Sequence, residues 1–269
     1  MAERTEIAWT DSTFNPWWGC TRAGPGCDHC YAEALDKRTG GAHWGPRTTP
    51  RRLSDSNWRK PVRWHKAALE TGVRRRVFCG SMCDVFDRNA PERQREGLWQ
   101  LIRSTPMLDW QLLTKRAPNI ERYLPEDWGI GYDNVWLGVT VEDRKHGLTR
   151  MERLKQIPAK VRFLSCEPLL EDLDQLDLTG IHWVIVGGES GPYARPMDAS
   201  WVTSIHRQCI AQNVPFFFKQ WGGRKHKGGC RIGGEEIKQW PHIHERKEGE
   251  KRESGGAVCS SNCNYGPGS

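Results

Sequence analysis

Seven short apolar runs punctuate the chain, and each stops at polar or glycine-rich residues: 7–10, 77–80, 110–114, 135–140, 161–165, 183–187 and 214–218. Their length and their β-branched and aromatic content predict strands. Between them lie stretches with apolar residues at helical spacing. Residues 57–71 carry Trp58, Val62, Trp64 and Leu69, and residues 91–104 carry Leu98, Leu101 and Ile102 behind a first-turn proline. Residues 143–156 carry Leu148, Met151 and Leu154, residues 200–212 carry Trp201, Ile205 and Ile210, and residues 119–123 form one more short helix. Strands alternating with helices predict a parallel sheet with right-handed crossovers. Seven of them predict an α/β fold, a (β/α) barrel that is complete or partial, over residues 1–222. Beyond Gly222 the composition turns to Gly, Lys, Glu and Ser, so residues 223–269 are expected as a C-terminal appendage or flexible tail.

Composition narrows the class. With 37% hydrophobic and 27% charged residues among 269, the chain can bury a core and is not expected to be disordered. No apolar run approaches the roughly 20 residues of a membrane span. The first ten residues lack the apolar stretch of a secretory signal, so the expected compartment is the cytoplasm. The net charge of +7 is compatible with a nucleic-acid partner without requiring one. Ten cysteines in a long chain without an export signal favour metal binding or burial over disulfides. Of the 14 tryptophans, Trp17, Trp18, Trp44 and Trp221 fall in Gly/Pro-rich loops.

Candidate chemistry begins at Asn15-Pro16-Trp17-Trp18-Gly19-Cys20 and continues through Cys27 and Cys30, a C-x6-C-x2-C spacing. Asn-Pro and Pro25-Gly26 force a loop. Three thiolates on one loop can ligate three irons of a [4Fe–4S] cluster and leave the fourth open. Spacing alone also admits a zinc site completed by His29 or Cys83, or cysteines that bind no metal. Cys230, Cys259 and Cys263, with His242 and His244, are a weaker candidate for a second metal or cluster.

The strand ends form the second group. Gly80-Ser81-Met82-Cys83-Asp84, Thr114-Lys115-Arg116, Thr140-Val141-Glu142, Ser165-Cys166-Glu167, Gly187-Gly188-Glu189 and Lys219-Gln220 all turn polar after an apolar run. On a barrel these ends surround one mouth, where sites of such folds lie. The bland alternative is a ring of solvated charges joined by salt bridges. The glycines at 187 and 188 admit close approach of a ligand, but G-x-G-x-x-G is missing. The basic runs 47–52 and 74–76 lie near tryptophans and suit phosphate contact and base stacking, or simply a solvated surface.

Taken together, the quoted motifs resemble a phage-linked family of radical-SAM-like proteins of unassigned substrate. Phe217-Phe218-Lys219-Gln220-Trp221-Gly222 extends the likeness, which runs over roughly residues 5–240. The resemblance implies a [4Fe–4S] cluster on Cys20, Cys27 and Cys30, with S-adenosyl-L-methionine (SAM) chelating the open iron. It implies Gly80, Ser81, Met82 and Asp84 at the SAM amino group and Thr140 and Glu142 at the ribose. Glu167 and the turn of Gly187, Gly188 and Glu189 then lie further round the cofactor or on the substrate side. Cys83, Lys115, Glu167 and Lys219 are the expected catalytic set, with Cys83 or Cys166 returning a hydrogen atom and the lysines holding an anionic substrate. The implied activity is reductive SAM cleavage to a 5′-deoxyadenosyl radical. An electron donor of the flavodoxin or ferredoxin type serves it, and a nucleic acid or modified nucleotide is the expected substrate. Two features depart from the superfamily: C-x6-C replaces C-x3-C, and His29 replaces the aromatic residue before the third cysteine. The rival from another class is a non-catalytic, zinc-stabilised nucleic-acid-binding module.

Overall fold

The computed structural model describes residues 5–224 and 228–241. Its elements run in chain order as β1 (Ser12–Phe14), β2 (Trp17–Trp18), α1 (Tyr31–Arg38), β3 (Arg51–Arg52), α2 (Asp55–Trp58), α3 (Lys60–Thr71), β4 (Arg75–Cys79) and α4 (Glu92–Ser104). They continue as β5 (Leu108–Thr114), α5 (Ile120–Tyr123), β6 (Val135–Thr140), α6 (Thr149–Lys155), β7 (Val161–Cys166), β8 (Trp183–Gly187), α7 (Ala199–Ala211) and β9 (Phe216–Gln220). Seven strands form one sheet in the order β1-β4-β5-β6-β7-β8-β9, with every pairing parallel. β2 and β3 form a separate antiparallel ladder, pairing Trp17 with Arg52 and Trp18 with Arg51.

The sheet curls. In a flat sheet, β4 and β9 would stand more than about 20 Å apart at the usual strand spacing. Here Phe78 of β4, Trp136 of β6, Phe163 of β7, Trp183 of β8 and Phe217 of β9 share one buried cluster around Trp9. Trp9 lies 4.6 Å from Phe78 and 6.2 Å from Trp183, ring centre to ring centre, and Trp183 lies 6.1 Å from Phe217. β1 and β9 remain the two edges, so the expected barrel is partial, a half-barrel. Strand alternation divides its faces. Trp183 and Ile185 of β8 point into the aromatic cluster, while Val184 and Val186 pack in the outer layer with α4, α6 and α7.

Three stretches differ from the sequence pattern for a physical reason. Residues 7–10 are not a strand; they turn, and Trp9 plugs the inner cluster at 1% exposure. The first strand is Ser12–Phe14, and the Thr10 hydroxyl accepts from Phe78 N at 3.1 Å. The helix expected over 143–156 begins as a wide turn, Arg144–Leu148, because Asp143 accepts from His146 N at 2.6 Å; α6 follows it. The stretch 57–71 divides into α2 and α3, with Pro61 in the first turn of α3.

The described part of the segment after Gly222 lies along β9. Phe218 N donates to Ile237 O at 2.8 Å, and the Trp183 indole donates to Gln239 O at 2.8 Å. The Trp240 indole reaches Trp9 O at 3.3 Å and so meets the chain entering β1. His242, His244, Cys259 and Cys263 lie outside the described residues. No helix among the described residues is long and apolar enough to cross a membrane.

Candidate functional site

The inner face of the half-barrel changes character along the strands. Aromatic rings fill its amino-terminal floor. In β6 the next inward position is Gly138, where a Cβ would stand 2.3 Å from the Phe163 ring, so only glycine admits that ring. Above it come Thr140 and Ser165, both buried. At the carboxyl ends stand Lys115, Glu142, Glu167, Glu189 and Lys219. This gradient from aromatic floor to small polar middle to charged rim marks the rim as the chemically equipped end.

The cysteine loop roofs that rim. Gly19, at φ +126°, donates from N to Met82 O at 3.1 Å, and a Cβ there would stand 2.6 Å from His43 O. Cys20 follows it. Cys27 closes a tight turn from Pro25, and Cys30 immediately precedes α1. All three thiols are free and half-buried.

Side chains from successive strand ends hold this loop. After β5, Arg116 Nη2 donates to the Thr21 carbonyl and to its hydroxyl at 2.6 Å, while Asp87 Oδ2 accepts from Thr21 N at 2.8 Å. After β6, Arg150 Nη2 donates to Ala23 O at 3.4 Å. After β8, Arg195 Nη2 donates to Pro25 O at 2.9 Å, and His29 Nδ1 lies 3.0 Å from Glu189 Oε2. After β4, Ser81 O accepts from the Tyr31 hydroxyl at 2.7 Å. The loop is therefore fastened across the whole mouth.

The predicted site residues divide by what they touch. Lys115 Nζ donates to Thr140 Oγ1 at 3.1 Å, beneath Gly26, where a Cβ would stand 3.1 Å from Lys115 Cε. Glu142 is fully buried; its Oε2 pairs with Arg150, and its Oε1 has no partner and faces the Gly24–Gly26 turn. Glu167 and Lys219 pair at 3.2 Å beside Gly187, where a Cβ would meet Glu167 Oε1 at 2.8 Å. Ser81 Oγ and Met82 N are held by Asn15, at 2.9 and 2.7 Å.

Others have structural partners. Asp84 is saturated: it accepts from the Thr114 hydroxyl, Lys115 N, Phe86 N and Arg116 Nη1, the last at 2.8 Å. The bare Cα of Gly188 faces the Trp221 carbonyl, which a Cβ would meet at 1.8 Å. Gly80, at φ +96°, lets the chain turn so that its N donates to Phe14 O at 3.0 Å. Cys83 is buried with Trp17 and Ala90, and Cys166 points into the outer layer, away from the mouth.

A family model matches residues 4–259. The chain belongs to the DUF5131 family, described as proteins of unknown function. No curated protein and no solved structure matches the chain.

In this DUF5131 protein the electrostatics of the roof follow from burial and from the braces. Burial pushes the Cys20 thiol up, with the Asp84 carboxylate adding to the effect, and burial raises Cys30 as well. Burial opposes ionisation of Glu189, but hydrogen bonds from Arg195 and His29 overcome it and hold the carboxyl at about 2. No group of three or more His, Cys, Asp or Glu among the described residues is gathered as a metal site. Arg150, Arg195 and Asp87 brace the loop without having been singled out from the sequence; Arg116 and Asn15 stand in quoted motifs but were not given this part. Asn15 was visible in the turn motif and Arg116 in a strand end; Arg150 and Arg195 carried no signal, because the loop carbonyls they hold lie far away in sequence.

Proposed function

We propose that this DUF5131 protein is a radical SAM-type enzyme that holds a [4Fe–4S] cluster on Cys20, Cys27 and Cys30 and SAM in the mouth beneath them. One observation carries the proposal: a loop with three free thiols is fastened across the carboxyl ends of a curled parallel sheet. The donors suit such a cluster in kind and number, since thiolates are its usual ligands. The orphaned Glu142 Oε1 and the Lys115 ammonium beneath the roof suit a polar ligand there. The thiols must gather closer to ligate and must release their protons on doing so.

A cluster held on Cys20, Cys27 and Cys30 and served by a donor of the flavodoxin or ferredoxin type would supply the electron for reductive cleavage of SAM. The chain's own residues do the rest. Lys115 and Lys219 present cations to anionic groups, Arg116 and Arg195 fix the roof, and the aromatic floor excludes water from below. Cys83 is bridged to Gly19 and packed with Trp17 and Ala90 rather than set on the open inner face.

The test is anaerobic reconstitution of the full chain with iron and sulfide, then addition of SAM and dithionite. The expected result is about four irons per chain, visible cluster absorption and 5′-deoxyadenosine. Absence of both cluster and product defeats the proposal. A second reading has its own observation: Cys83 forms a parallel backbone bridge with Gly19, the residue before Cys20, and so offers a fourth sulfur for zinc. One zinc and no iron after anaerobic purification would favour a zinc-stabilised nucleic-acid-binding module instead.

A further inference from the structure

The basic run at 47–52 is built onto the cysteine loop. β3 pairs with β2, so Arg51 stands opposite Trp18, two residues before Cys20. The Arg51 guanidinium lies over the Trp18 ring at 4.8 Å, and that of Arg52 lies over Trp58 at 5.6 Å. Aromatic faces thus support both planes; the Arg52 fork is taken by Asp55 at 2.7 Å and by Leu53 O, while Arg51 stays exposed with no ion pair among the described residues. Two more connections draw cations to the same place. Gly45 N donates to Cys20 O at 3.0 Å, which sets the strand-leading loop with Arg47 beside Cys20. Asn89 Nδ2 donates to Gly45 O at 3.3 Å and Thr48 O at 3.2 Å, which brings neighbouring Arg88 against that loop.

Arg47, Arg51 and Arg88 are exposed, and none makes an ion pair among the described residues. A cleft of about 890 Å³ continues from this face behind Arg52. It is lined by Trp58, Arg93 and Gln94, with Asp55 and Glu96 the acids on its wall. Across the roof, Tyr31 is 58% and Tyr193 72% exposed, unusual for rings, and Tyr193 lies 5.9 Å from His29 of the loop. Exposed arginine forks without ion pairs suit phosphates; exposed rings suit an unstacked base.

We infer that the Arg47, Arg51 and Arg88 face holds the phosphates of a single-stranded nucleic acid, and that Tyr31 and Tyr193 take an unpaired base beside the cysteine roof. The inference names the substrate class of the proposed enzyme and rests on that reading for its purpose, but binding itself needs no reaction. Exposed cations gathered on one set of tied loops suit a flexible phosphate backbone, whereas a duplex would leave the two rings without a base to stack on.

The test is fluorescence anisotropy of the full chain with a labelled oligothymidylate, a duplex of equal length and polyglutamate as an acidic control, across a salt series. Expected are preference for the single strand over both others and affinity that falls steeply with salt. Arg47→Glu, Arg51→Glu and Arg88→Glu should each weaken binding about tenfold and flatten the salt slope by about 0.7 per phosphate lost. Tyr193→Ala should weaken the single strand about tenfold and the duplex little. Lys160→Glu, the same charge change at the start of β7 on the opposite end, should change nothing. Equal binding by all variants, or polyglutamate competing as well as oligothymidylate, overturns the inference. A chain that binds oligothymidylate but holds no iron defeats only the cofactor proposal. A chain with an intact cluster and no salt-dependent binding defeats only this one.

Discussion

Glu189 and Arg195 meet through both oxygens of the carboxylate: Nη2 lies 2.7 Å from Oε1 and Nε 3.0 Å from Oε2. Arg195 N and His29 Nδ1 add to Oε2, both at 3.0 Å, so one carboxylate ties the β8 end to the cysteine roof. Its folded pKa is depressed to about 2, from an ordinary value of 4.5. A depressed carboxylate stabilises the fold above its unfolded pKa, and that stability is lost as pH falls through the folded value. Glu189→Gln should therefore cost at most about 3 kcal/mol at neutral pH. The difference should shrink below about pH 4.5 and vanish near pH 2. Urea midpoints of both proteins measured across that range check it; a gap that persists at the acid end would show that the carboxylate charge is not what matters.

Arg116 plays the matching part at the β5 end. Its side chain is 10% exposed and that of its partner Asp84 is 8% exposed, so each is a buried charge that the other compensates. Arg116→Ala leaves Asp84 without its cation and removes one of the two side chains that hold Thr21, at an expected cost of about 3 kcal/mol. Arg116→Lys should recover part of this, since an ammonium neutralises Asp84 but cannot fork to Thr21 as well. Denaturant unfolding gives the stability. Iron bound after reconstitution gives the position of Cys20, and it should fall further than stability does in the lysine variant.

The strands were legible because each is a run of branched and aromatic residues that stops at a polar end, and the mouth was legible because those ends carry Lys115, Glu142, Glu167, Glu189 and Lys219. The cysteine loop was legible from Asn15-Pro16 and Pro25-Gly26. What escaped depends on contacts that local pattern does not encode. Residues 7–10 look like a strand, yet Trp9 is more stable inside the aromatic floor than along an edge. Arg195 is 170 residues from Pro25, and Arg150 is 127 from Ala23, so neither brace has a local signature. The degree of closure escaped too, because it depends on whether the outermost strands pair, and β1 has only three residues. α1 was missed because its buried face is limited to Ala32 and Asp36.

Gly138 tests whether the floor supports the rim. A Cβ there would overlap the Phe163 ring at 2.3 Å, and both positions are buried within the sheet. Gly138→Ala should destabilise the protein by about 2 kcal/mol through overpacking. Phe163→Leu should cost stability alone but restore part of the loss when combined with Gly138→Ala, because the smaller side chain vacates the site. Thermal unfolding of the four proteins forms a double-mutant cycle. Additive losses would mean that the two residues do not compete for one space.

Lys115 offers the sharpest link between geometry and the proposed chemistry. Its ammonium is held under Gly26 by the neutral Thr140 hydroxyl and makes no ion pair among the described residues. A cation held by a hydroxyl, with Glu142 Oε1 near the same turn but not ion-paired to it, is arranged to meet an anionic group, and the SAM carboxylate is the one the proposed function supplies. Charge-assisted hydrogen bonds contribute about 1.5–3 kcal/mol, so Lys115→Met should weaken SAM binding by roughly ten- to a hundredfold. Iron content should not change, because Lys115 supplies no thiolate. S-adenosylhomocysteine should lose affinity equally, whereas 5′-methylthioadenosine, which has no carboxylate, should bind both proteins alike. Calorimetric titration of the reconstituted chain reads all three ligands. Equal losses for 5′-methylthioadenosine would place Lys115 at the nucleoside instead, and no loss for any of them would remove it from the SAM site.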